Sequence, residues 1–513
     1  MKKKEQRDSS SWITSMKPCA YKYVKDKTMS QIKDLAPVEV WKHFYTLTQI
    51  PRPSKKEAEI IEYMKKFGED LGLETIVDEV GNVIIKKPAT AGMEKRKGVV
   101  LQGHLDMVPQ KNSEKDFDFE KDPIEALVDG EWVTANGTTL GADNGIGVAA
   151  AMAVLESTTM KHGPVEALFT IDEETGMTGA FGLKPGLLDG DILINMDSED
   201  EGELYVGCAG GIDVSASKSY EEEDAPSGHE AYLVKAEGLK GGHSGLDIPL
   251  GRANANKVLF RFMMQAESNL KIRLAEASGG DLRNAIPRES HAVILVPASE
   301  TDSFEALVAS YQEIYRKEFA DTEPDLSFTC ERTEGPAKVV PAVEQARFIR
   351  AIFASPNGVQ RMSQSMIGLV ETSNSLAIVN LKDGQFEAYN LCRSSVDSAK
   401  EATSWKIAAV YQLIGADVKL SGDYPGWKPN MDSPILKTCQ NVYNKNFGKI
   451  PEIKGIHAGL ECGLLGGVYP NFDMISFGPT IRFPHSPDEK VKIDTVKLFW
   501  DFLVLILEDI PEK

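Results

Sequence analysis

Hydrophobic positions follow a helical period near the start of the chain and a strand pattern soon after it. Apolar residues recur at helical spacing through residues 37–72, and a Pro-rich run at residues 51–54 interrupts them. Two helices are therefore predicted there. Short β-branched runs bounded by turn residues predict strands at residues 74–78, 83–86 and 98–102. The last of these strands leads directly into a polar segment.

The alternation of helices and strands continues to residue 195. We predict a helix at residues 146–155, a buried strand at 165–171, a helix at 179–183 and a strand at 191–195. Polar and charged residues cluster where the strands end. This pattern is typical of an α/β sheet whose functional site lies along its carboxyl edge.

The pattern changes after residue 211. A charged, turn-rich loop at residues 220–228 precedes long helical patterns flanked by strands, which predicts an inserted α+β domain. Helix, strand and helix resume after residue 426. The predicted organisation is a flexible extension at residues 1–30, a first domain built from 31–210 and 427–513, and an insertion at 211–426.

Composition excludes several classes of function. The 513 residues carry a net charge of −20, which disfavours a nucleic acid or an anionic membrane as partner. The six cysteines are scattered and form no Cys-x-x-Cys pair, which argues against a disulfide framework and a thiolate zinc site. A reducing cytoplasmic location fits this cysteine usage best.

Neither end of the chain has the features of a membrane or secretory segment. The longest apolar stretch, at residues 498–510, is interrupted by acidic residues and predicts a packed terminal helix. The basic first residues lack the apolar core of a secretory signal. We expect a flexible extension there, with an organelle-targeting function as the alternative.

Two adjacent carboxylates follow the apolar run at residues 165–171. Glu173 and Glu174 come before Gly176, which marks a turn. One carboxylate could bind a metal ion while its neighbour accepts a proton from water. The alternative is a solvated acidic loop, which is the commoner fate of a Glu-Glu pair.

Other polar residues could complete a metal site. Each has an ordinary alternative alone, as a structural histidine, a turn or cap residue, or a solvated strand end. Together they form a set of two histidines and three carboxylates, which suits two zinc-like ions if one carboxylate bridges them; the set is His104, Asp143, Glu174, Asp197 and His485. Asp106, two residues after His104, has the spacing of a residue that orients a ligating imidazole.

Alternative motifs are weaker or missing. The sequence contains no H-E-x-x-H, P-loop or G-x-S-x-G motif. His457 and Glu461 have the i, i+4 spacing of a helical metal pair, but the glycine between them favours a loop. This pair ranks second as a metal site.

Eight segments of the sequence resemble the signature blocks of the zinc-dependent M20 metallopeptidases, specifically the aminoacyl-histidine dipeptidase (cytosolic non-specific dipeptidase) type. They occur in the family's order and comprise residues 101–110, 137–147, 170–177, 195–199, 241–245, 283–288, 457–463 and 484–489. The resemblance extends from about residue 35 to the C-terminus. It implies an α/β zinc-peptidase catalytic domain, with a mixed sheet flanked by helices, interrupted by an α+β lid domain at residues 211–426.

The resemblance also implies a role for each candidate residue. His104 and Asp197 would ligate one zinc ion, Glu174 and His485 the other, and Asp143 would bridge them. Glu173 would be the general base, and Asp106 would orient His104. The positions that match substrate-contacting residues are His243, Asn284, Arg393 and Gly459.

The implied activity is hydrolysis of unblocked dipeptides, including Xaa-His types such as β-alanyl-histidine, with two Zn²⁺ per chain. Mn²⁺ or Co²⁺ could replace zinc, and a homodimer is compatible with the sequence. His243 could bind the oxyanion, and Arg393 could bind a carboxylate bidentately, with a turn histidine and a buried salt bridge as the respective alternatives. Rival functions are an M20 tripeptide aminopeptidase, an N-acyl-amino-acid deacylase and a catalytically silent binding protein.

Overall fold

The computed structural model describes residues 32–513, so the predicted extension at residues 1–30 lies outside the described part. From Ile32 to Cys208 the chain alternates helices and strands. After a 3₁₀ turn at Ile32–Asp34, the elements are α1 (Val38–Thr48), α2 (Ala58–Asp70), β1 (Glu74–Val77), β2 (Val83–Lys87), β3 (Val99–His104), β4 (Ala126–Asp129), β5 (Trp132–Ala135), α3 (Ala142–Glu156), β6 (Val165–Thr170), α4 (Glu173–Gly176), α5 (Thr178–Gly182), β7 (Ile192–Asn195) and β8 (Glu203–Cys208). Both helices and all three strands predicted within residues 37–102 are confirmed.

The next part of the chain, from residue 210 to residue 424, contains four helices and many strands. In order these are β9 (Gly210–Ser219), β10 (Glu223–Asp224), β11 (His229–Glu237), β12 (Gly242–His243), a 3₁₀ turn (Ile248–Leu250), α6 (Ala255–Leu270), β13 (Arg273–Gly279), β14 (Ala285–Ile286), β15 (Ser290–Pro297), α7 (Thr301–Glu318), β16 (Ser327–Arg332), β17 (Lys338–Val339), α8 (Ala342–Ala354), β18 (Gly358–Met362), β19 (Val370–Lys382), β20 (Gln385–Ser394), α9 (Asp397–Leu413) and β21 (Asp417–Tyr424).

The final part returns to alternating helices and strands. Its elements are α10 (Pro434–Phe447), β22 (Glu452–Ile456), α11 (Glu461–Val468), β23 (Asp473–Ser476), β24 (Ile481–Arg482), β25 (Lys490–Lys492) and α12 (Ile493–Asp509). Helix α12 buries one apolar face, which confirms the predicted packed terminal helix. Within residues 32–513, no helix combines the length and the apolar character required to cross a bilayer.

Two large sheets organise the described chain. The first has eight strands in the order β1-β2-β6-β3-β7-β23-β8-β22, and its centre is parallel: β3 pairs with both β6 and β7, and β7 with β23. Strands β1 and β2 are antiparallel to their neighbours, so the sheet is mixed. The central strands are buried along their whole length, as expected for a sheet covered on both faces. The predicted mixed α/β sheet is confirmed.

The second sheet has nine strands, eight of them in the order β16-β11-β15-β13-β19-β20-β9-β21, with β18 paired to β19. Its strand pairs are antiparallel, so it differs in kind from the first sheet. The buried apolar side chains form two main clusters, one from residues 32–208 and 427–510, the other from residues 212–416. The chain thus leaves the first sheet after Cys208 and returns after Tyr424.

Two local departures from regular structure lie at the carboxyl edge of the first sheet. Helix α3 begins at Ala142 rather than at residue 146, but Asp143 (ψ 110°) and Asn144 (ψ 28°) have non-helical dihedral angles. Strand β6 ends at Thr170, and Asp172 adopts the left-handed conformation (φ 51°) before the short helix α4. Both departures occur where the sequence places candidate carboxylates.

Candidate active site

Five side chains from distant parts of the sequence meet at the carboxyl edge of the eight-stranded sheet. Three of them come at or just after the ends of β3, β6 and β7, because parallel strands bring their carboxyl ends to one edge. His104 ends β3, Asp143 lies in the first turn of α3, Glu174 lies in α4, Asp197 follows β7 and His485 lies between β24 and β25. These are the five ligands that the sequence predicts, now in one place.

The five residues form two groups that share Asp143. In one group, Nε2 of His104 lies 3.2 Å from Oδ1 of Asp143 and 3.3 Å from Oδ1 of Asp197. In the other, Nε2 of His485 lies 3.3 Å from Oδ2 of Asp143 and 2.9 Å from Oε2 of Glu174. The two oxygens of Asp143 thus face two different imidazoles, as a bridging carboxylate requires.

These separations fit two small divalent cations. Ligand atoms bound at about 2.0 Å around a tetrahedral zinc ion are about 3.3 Å apart. Both groups belong to the sets of side chains whose ligand atoms lie close enough together to hold an ion. Oε1 of Glu174 is buried and has no hydrogen-bond partner among residues 32–513, a costly state that a bound cation would relieve.

Buried negative charge dominates this edge of the sheet. Burial raises the pKa of Asp197 to about 7 and that of Glu199 to about 8, and neighbouring carboxylates such as Asp143 add to both increases. Hydrogen bonds to Asp143 and Glu174 raise the pKa of His485 to about 11. Carboxylates this close together and this deeply buried stay ionised at neutral pH only with compensating positive charge.

Asp106 connects the imidazole of His104 to the Glu173-Glu174 turn. Its Oδ1 lies 3.4 Å from Nδ1 of His104, on the side of the ring opposite Asp143. The carboxylate also accepts hydrogen bonds from the backbone N–H groups of Glu173 and Glu174 and from the hydroxyl of Ser54. Although burial opposes ionisation, His104 and these donors lower the pKa of Asp106 to about 2. Asp106 is therefore ionised at neutral pH and lies in contact with the imidazole of His104.

Glu173 lies beside the two groups that share Asp143 but belongs to neither of them. Burial raises its pKa well above the ordinary value; Asp197 and Glu461 add to the increase, whereas His104 opposes it. A carboxyl group with a raised pKa is suited to accept a proton from water and release it later. This chemistry matches the role that the resemblance implies for Glu173.

Two residues that the sequence analysis missed hold the backbone around the cluster. The buried guanidinium of Arg52 donates to the carbonyl oxygens of Leu105, Asp106 and Gly141. The carboxylate of Glu489 accepts from four successive backbone N–H groups at residues 140–143. The signal for Glu489 is its position four residues after His485, whereas Arg52 is marked only by its flanking prolines.

Arg393 and His243 lie close together on the side of the nine-stranded sheet. Nη1 of Arg393 donates to the hydroxyl of Tyr424 at 3.2 Å, and its Nη2 lies 3.5 Å from Nε2 of His243. Nδ1 of His243 accepts hydrogen bonds from the backbone N–H groups of Gly245 and Leu246. The proton of the neutral ring is therefore on Nε2, which is available as a donor.

Burial and the charge of Arg393 lower the pKa of His243 to about 4. The imidazole is therefore neutral at physiological pH. Gly459 lies nearby, since a Cβ atom there would lie 3.3 Å from the hydroxyl of Tyr424. Asn284 directly precedes β14, the strand that pairs with β12, and its backbone carbonyl accepts a hydrogen bond from the N–H group of Ser244. Asn284 itself is exposed.

The structure separates His457 from Glu461, the second-ranked metal pair. Nε2 of His457 lies 2.7 Å from the hydroxyl of Ser373 in β19. Glu461 begins α11 and accepts hydrogen bonds from Gln102 and Thr170. Neither residue belongs to any group of potential metal ligands within the described chain. The spacing misleads because α11 starts only at Glu461, and i, i+4 residues share a face only inside a helix.

Comparison with known proteins decides the family. Residues 100–509 match the model of peptidase family M20/M25/M40. The chain belongs to this family. It is 47% identical over 485 residues to the cytosol non-specific dipeptidase of Escherichia coli (strain K12), covering 94% of this chain and 100% of that protein.

Two solved structures have a similar fold. The aminoacylhistidine dipeptidase from Vibrio alginolyticus is 50% identical and superimposes with a TM-score of 0.90 over 94% of this chain and 99% of that one. The aminopeptidase PepT from Bacillus cereus, at 16% identity, has a TM-score of 0.54 over 93% of this chain and 99% of its own, which shows the fold alone.

One cavity joins the two sides of this M20 peptidase. Its volume is about 680 Å³, and its lining includes Asp143, Glu173 and Glu174 at one end and Gly245 and His457 at the other. Its wall also includes apolar residues, among them Leu246, Pro249, Leu369, Ile456 and Leu460. The metal-ligand candidates and the second sheet therefore enclose the same space.

Proposed function

We propose that this M20 peptidase is a dinuclear zinc dipeptidase that hydrolyses unblocked dipeptides, including Xaa-His types such as β-alanyl-histidine. The observation that carries the proposal is the shared carboxylate of Asp143, whose two oxygens face His104 and His485 at 3.2 and 3.3 Å. The names of the Escherichia coli and Vibrio relatives support the substrate class.

The ligand assignment follows the two groups. His104 and Asp197 would hold one ion, Glu174 and His485 the other, and Asp143 both. Zinc fits this donor set of imidazoles and carboxylates, and manganese or cobalt are alternatives. When bound, the two ions would lower the pKa of water and polarise the peptide carbonyl.

The remaining chemistry is assigned to residues of this chain. Glu173 would accept the proton of the attacking water and pass it to the leaving amine. Asp106 would keep the imidazole of His104 in its ligating orientation. The Nε2–H group of His243 would donate to the carbonyl oxygen as negative charge develops there, a contribution on the order of 3 kcal/mol for one such donor.

The other end of the cavity would recognise the C-terminal carboxylate of the substrate. We assign this role to Arg393, with Asn284 and the backbone at Gly459. Arg393 is buried and has no carboxylate partner among the salt bridges of the described chain, so its charge is available for a substrate anion. That position argues against the alternative of a structural salt bridge.

Charge in the cavity favours a free amino group over an N-acyl group. Near the ligand cluster the lining also contains Glu199, Asp200 and Glu203, against the single lysine Lys454. A substrate ammonium group is stabilised in such surroundings, whereas an acyl group leaves the carboxylates without compensation. This observation favours a peptidase over the N-acyl-amino-acid deacylase alternative.

The proposal also covers the domain division, the cellular location and the partners of the enzyme. Residues 31–210 and 427–513 would form the catalytic domain, and residues 211–426 a lid that brings Arg393 and His243 to the substrate. The two separate apolar cores support this division. We further propose a cytoplasmic enzyme without nucleic-acid or membrane partners, in agreement with its charge and scattered cysteines, and a homodimer as its assembly.

The experiment that tests the function is a substrate panel with metal quantification. Dipeptides, the matching tripeptides and N-acyl amino acids are assayed with enzyme of known zinc, manganese and cobalt content. We expect dipeptides to have the highest kcat/KM, with two metal ions per chain. A preference for tripeptides or N-acyl amino acids would replace the proposed substrate class, and activity in metal-free protein would refute the mechanism.

A further inference from the structure

A short segment, His457–Glu461, runs from the nine-stranded sheet to the eight-stranded sheet and lines the cavity on its way. We call it the bridging segment. His457 and Gly459 line the cavity, and Glu461 is fully buried at the start of α11. The proposed mechanism uses the middle of this segment but gives no role to its two ends.

The first end is held by the nine-stranded sheet. Nε2 of His457 lies 2.7 Å from the buried hydroxyl of Ser373 in β19. Ser373 is the residue directly opposite Arg393 on the neighbouring strand β20. Gly245 packs against the same point, because a Cβ atom there would lie 2.1 Å from the carbonyl oxygen of His457. The first end therefore has a defined position relative to Arg393.

The second end is held by the strands that carry the metal-ligand candidates. Oε2 of Glu461 accepts a hydrogen bond from Nε2 of Gln102 at 2.6 Å and from the hydroxyl of Thr170 at 2.7 Å. Gln102 precedes His104 by two residues in β3, and Thr170 is the last residue of β6, just before the turn that carries Glu173.

A third strand joins the same network. Oε1 of Gln102 accepts from Nδ2 of Asn195 at 2.5 Å, and Asn195 is the last residue of β7, two residues before Asp197. All of these side chains are fully buried. One carboxylate thus connects the bridging segment to three strands, each of which delivers a candidate ligand or the general base.

From this geometry we infer that Glu461 is a positioning residue that sets the distance between the metal-ligand cluster and the carboxylate site at Arg393. The inference rests on the proposed dipeptidase function and deepens it. A dipeptide must reach both places at once, so its turnover depends on that distance. A tripeptide does not fit both places together and therefore depends on it much less.

The test compares kcat/KM for Ala-Ala and Ala-Ala-Ala in the parent and in Glu461→Ala, with metal content measured for each protein. We expect Glu461→Ala to keep both metal ions and to lower the ratio of dipeptide to tripeptide kcat/KM by about tenfold or more, because a small shift between the two binding places misplaces the scissile bond of the dipeptide. Thr170→Val, which has nearly the same shape and lacks only the hydroxyl donor, should lower the ratio in the same direction. Ser373→Ala should do so from the other end of the segment.

Two controls separate positioning from stability. Glu461→Gln retains an acceptor oxygen for Gln102 and Thr170 and should keep the ratio within about threefold of the parent. Glu166→Ala removes another buried carboxylate of β6, one that accepts backbone N–H groups of Asp189 and Gly190 away from the cavity. Its ratio should equal that of the parent, whatever its effect on stability.

Each result has a defined meaning. If Glu461→Ala and Thr170→Val slow both peptides by the same factor, the inference is overturned and Glu461 has a structural role only. If Glu461→Ala does not fold, Thr170→Val and Ser373→Ala decide by the same ratio. A parent enzyme without dipeptide hydrolysis would refute the proposed function itself, which is measured first and independently of the variants.

Discussion

The two ends of the cavity differ in charge, in ligand type and in how the sequence builds them. At the carboxyl edge of the eight-stranded sheet, carboxylates outnumber imidazoles in both candidate metal groups. At the side of the nine-stranded sheet, Gly245 and His457 line the cavity. The cation of Arg393 and the imidazole of His243 lie directly beside Gly245, and the imidazoles of His243 and His457 are both neutral. A dipeptide zwitterion placed between them meets charges opposite to its own at both ends.

The directions of the pKa shifts differ between the two ends. At the first end, burial raises the pKa of Asp197 to about 7, and the charges of Asp143 and Glu174 add to the increase. Burial and Arg393 lower the pKa of His457 to about 3. The second end thus keeps its charge on one guanidinium, ready to bind an anion. Each prediction below removes one element of this contrast.

Metal removal should have the largest effect, because it takes the compensating charge from the first end only. We expect a chelator to abolish dipeptide hydrolysis and added zinc to restore it. The measurement is dipeptidase activity as a function of the amount of bound metal during titration with zinc. Full activity in metal-free protein would contradict the assignment of a metal site to the first end. The same chelation should leave the fold of the second end unchanged in circular dichroism.

Glu173→Gln should have the next largest effect. The substitution removes the proton acceptor and keeps its size, so kcat should fall by about 10²–10⁴ while both metal ions remain bound. Glu174→Gln is the matched control, since Glu174 lies 2.9 Å from His485 and should lose occupancy of one ion. Equal metal loss in the two variants would show that their roles are not distinct.

The contrast also explains which parts of the site the sequence could predict. His104, Glu174 and Asp197 follow buried strands, so periodicity places them at one edge of a parallel sheet. His485 lies in a loop far along the chain, and only its motif suggested a ligand. Their roles stay predictions until metal binding is measured, but the structure brings all of these side chains together.

Other features depended on packing and were not predictable. Arg52 and Glu489 bind backbone groups that become neighbours only in the folded chain. Hydrogen bonds of this kind leave no periodic pattern in the sequence. The exposure of Asn284 likewise depends on the pairing of β14 with the distant strand β12. In contrast, the boundaries of several helices and strands followed from hydrophobic spacing within a few residues, as for the strand predicted at residues 98–102 and found at Val99–His104.

Arg393→Ala should have an intermediate effect and should act at the second end alone. Removing a charged partner of the substrate carboxylate costs about 1.5–3 kcal/mol, or about tenfold to a hundredfold in kcat/KM for dipeptides. Metal content should be unchanged. The measurement is kcat/KM for free dipeptides and for their C-terminal amides.

The amides supply the control for that prediction. They lack the carboxylate, so the parent enzyme should hydrolyse them poorly, and Arg393→Ala should slow them little further. If the variant slowed amides and free dipeptides equally, Arg393 would have a structural role and the carboxylate would bind elsewhere.

The smallest expected effect is a change in pH dependence. Protonation of His243 would turn Nδ1 from an acceptor into a donor and break its bonds from the N–H groups of Gly245 and Leu246. The active form is therefore neutral, and activity is retained above the pKa of His243, about 4, and lost as the pH falls through it. Arg393 helps to keep this pKa low, so its removal must raise it towards the ordinary value of about 6.5.

Arg393→Ala should consequently lose further activity as the pH falls from about 6.5 to about 4.5. Compared with the parent at the same metal content, this loss should reach about tenfold for each unit by which the pKa of His243 rises. Arg393→Lys is the matched control, because it keeps the positive charge and loses only the bidentate geometry. Its ratio to the parent should be independent of pH. If Arg393→Ala and Arg393→Lys show the same pH profile, the charge of Arg393 does not control His243, and the two groups act independently on the substrate. If only Arg393→Ala shifts, the second end of the cavity uses one cation both to bind the substrate and to keep its neighbouring imidazole neutral.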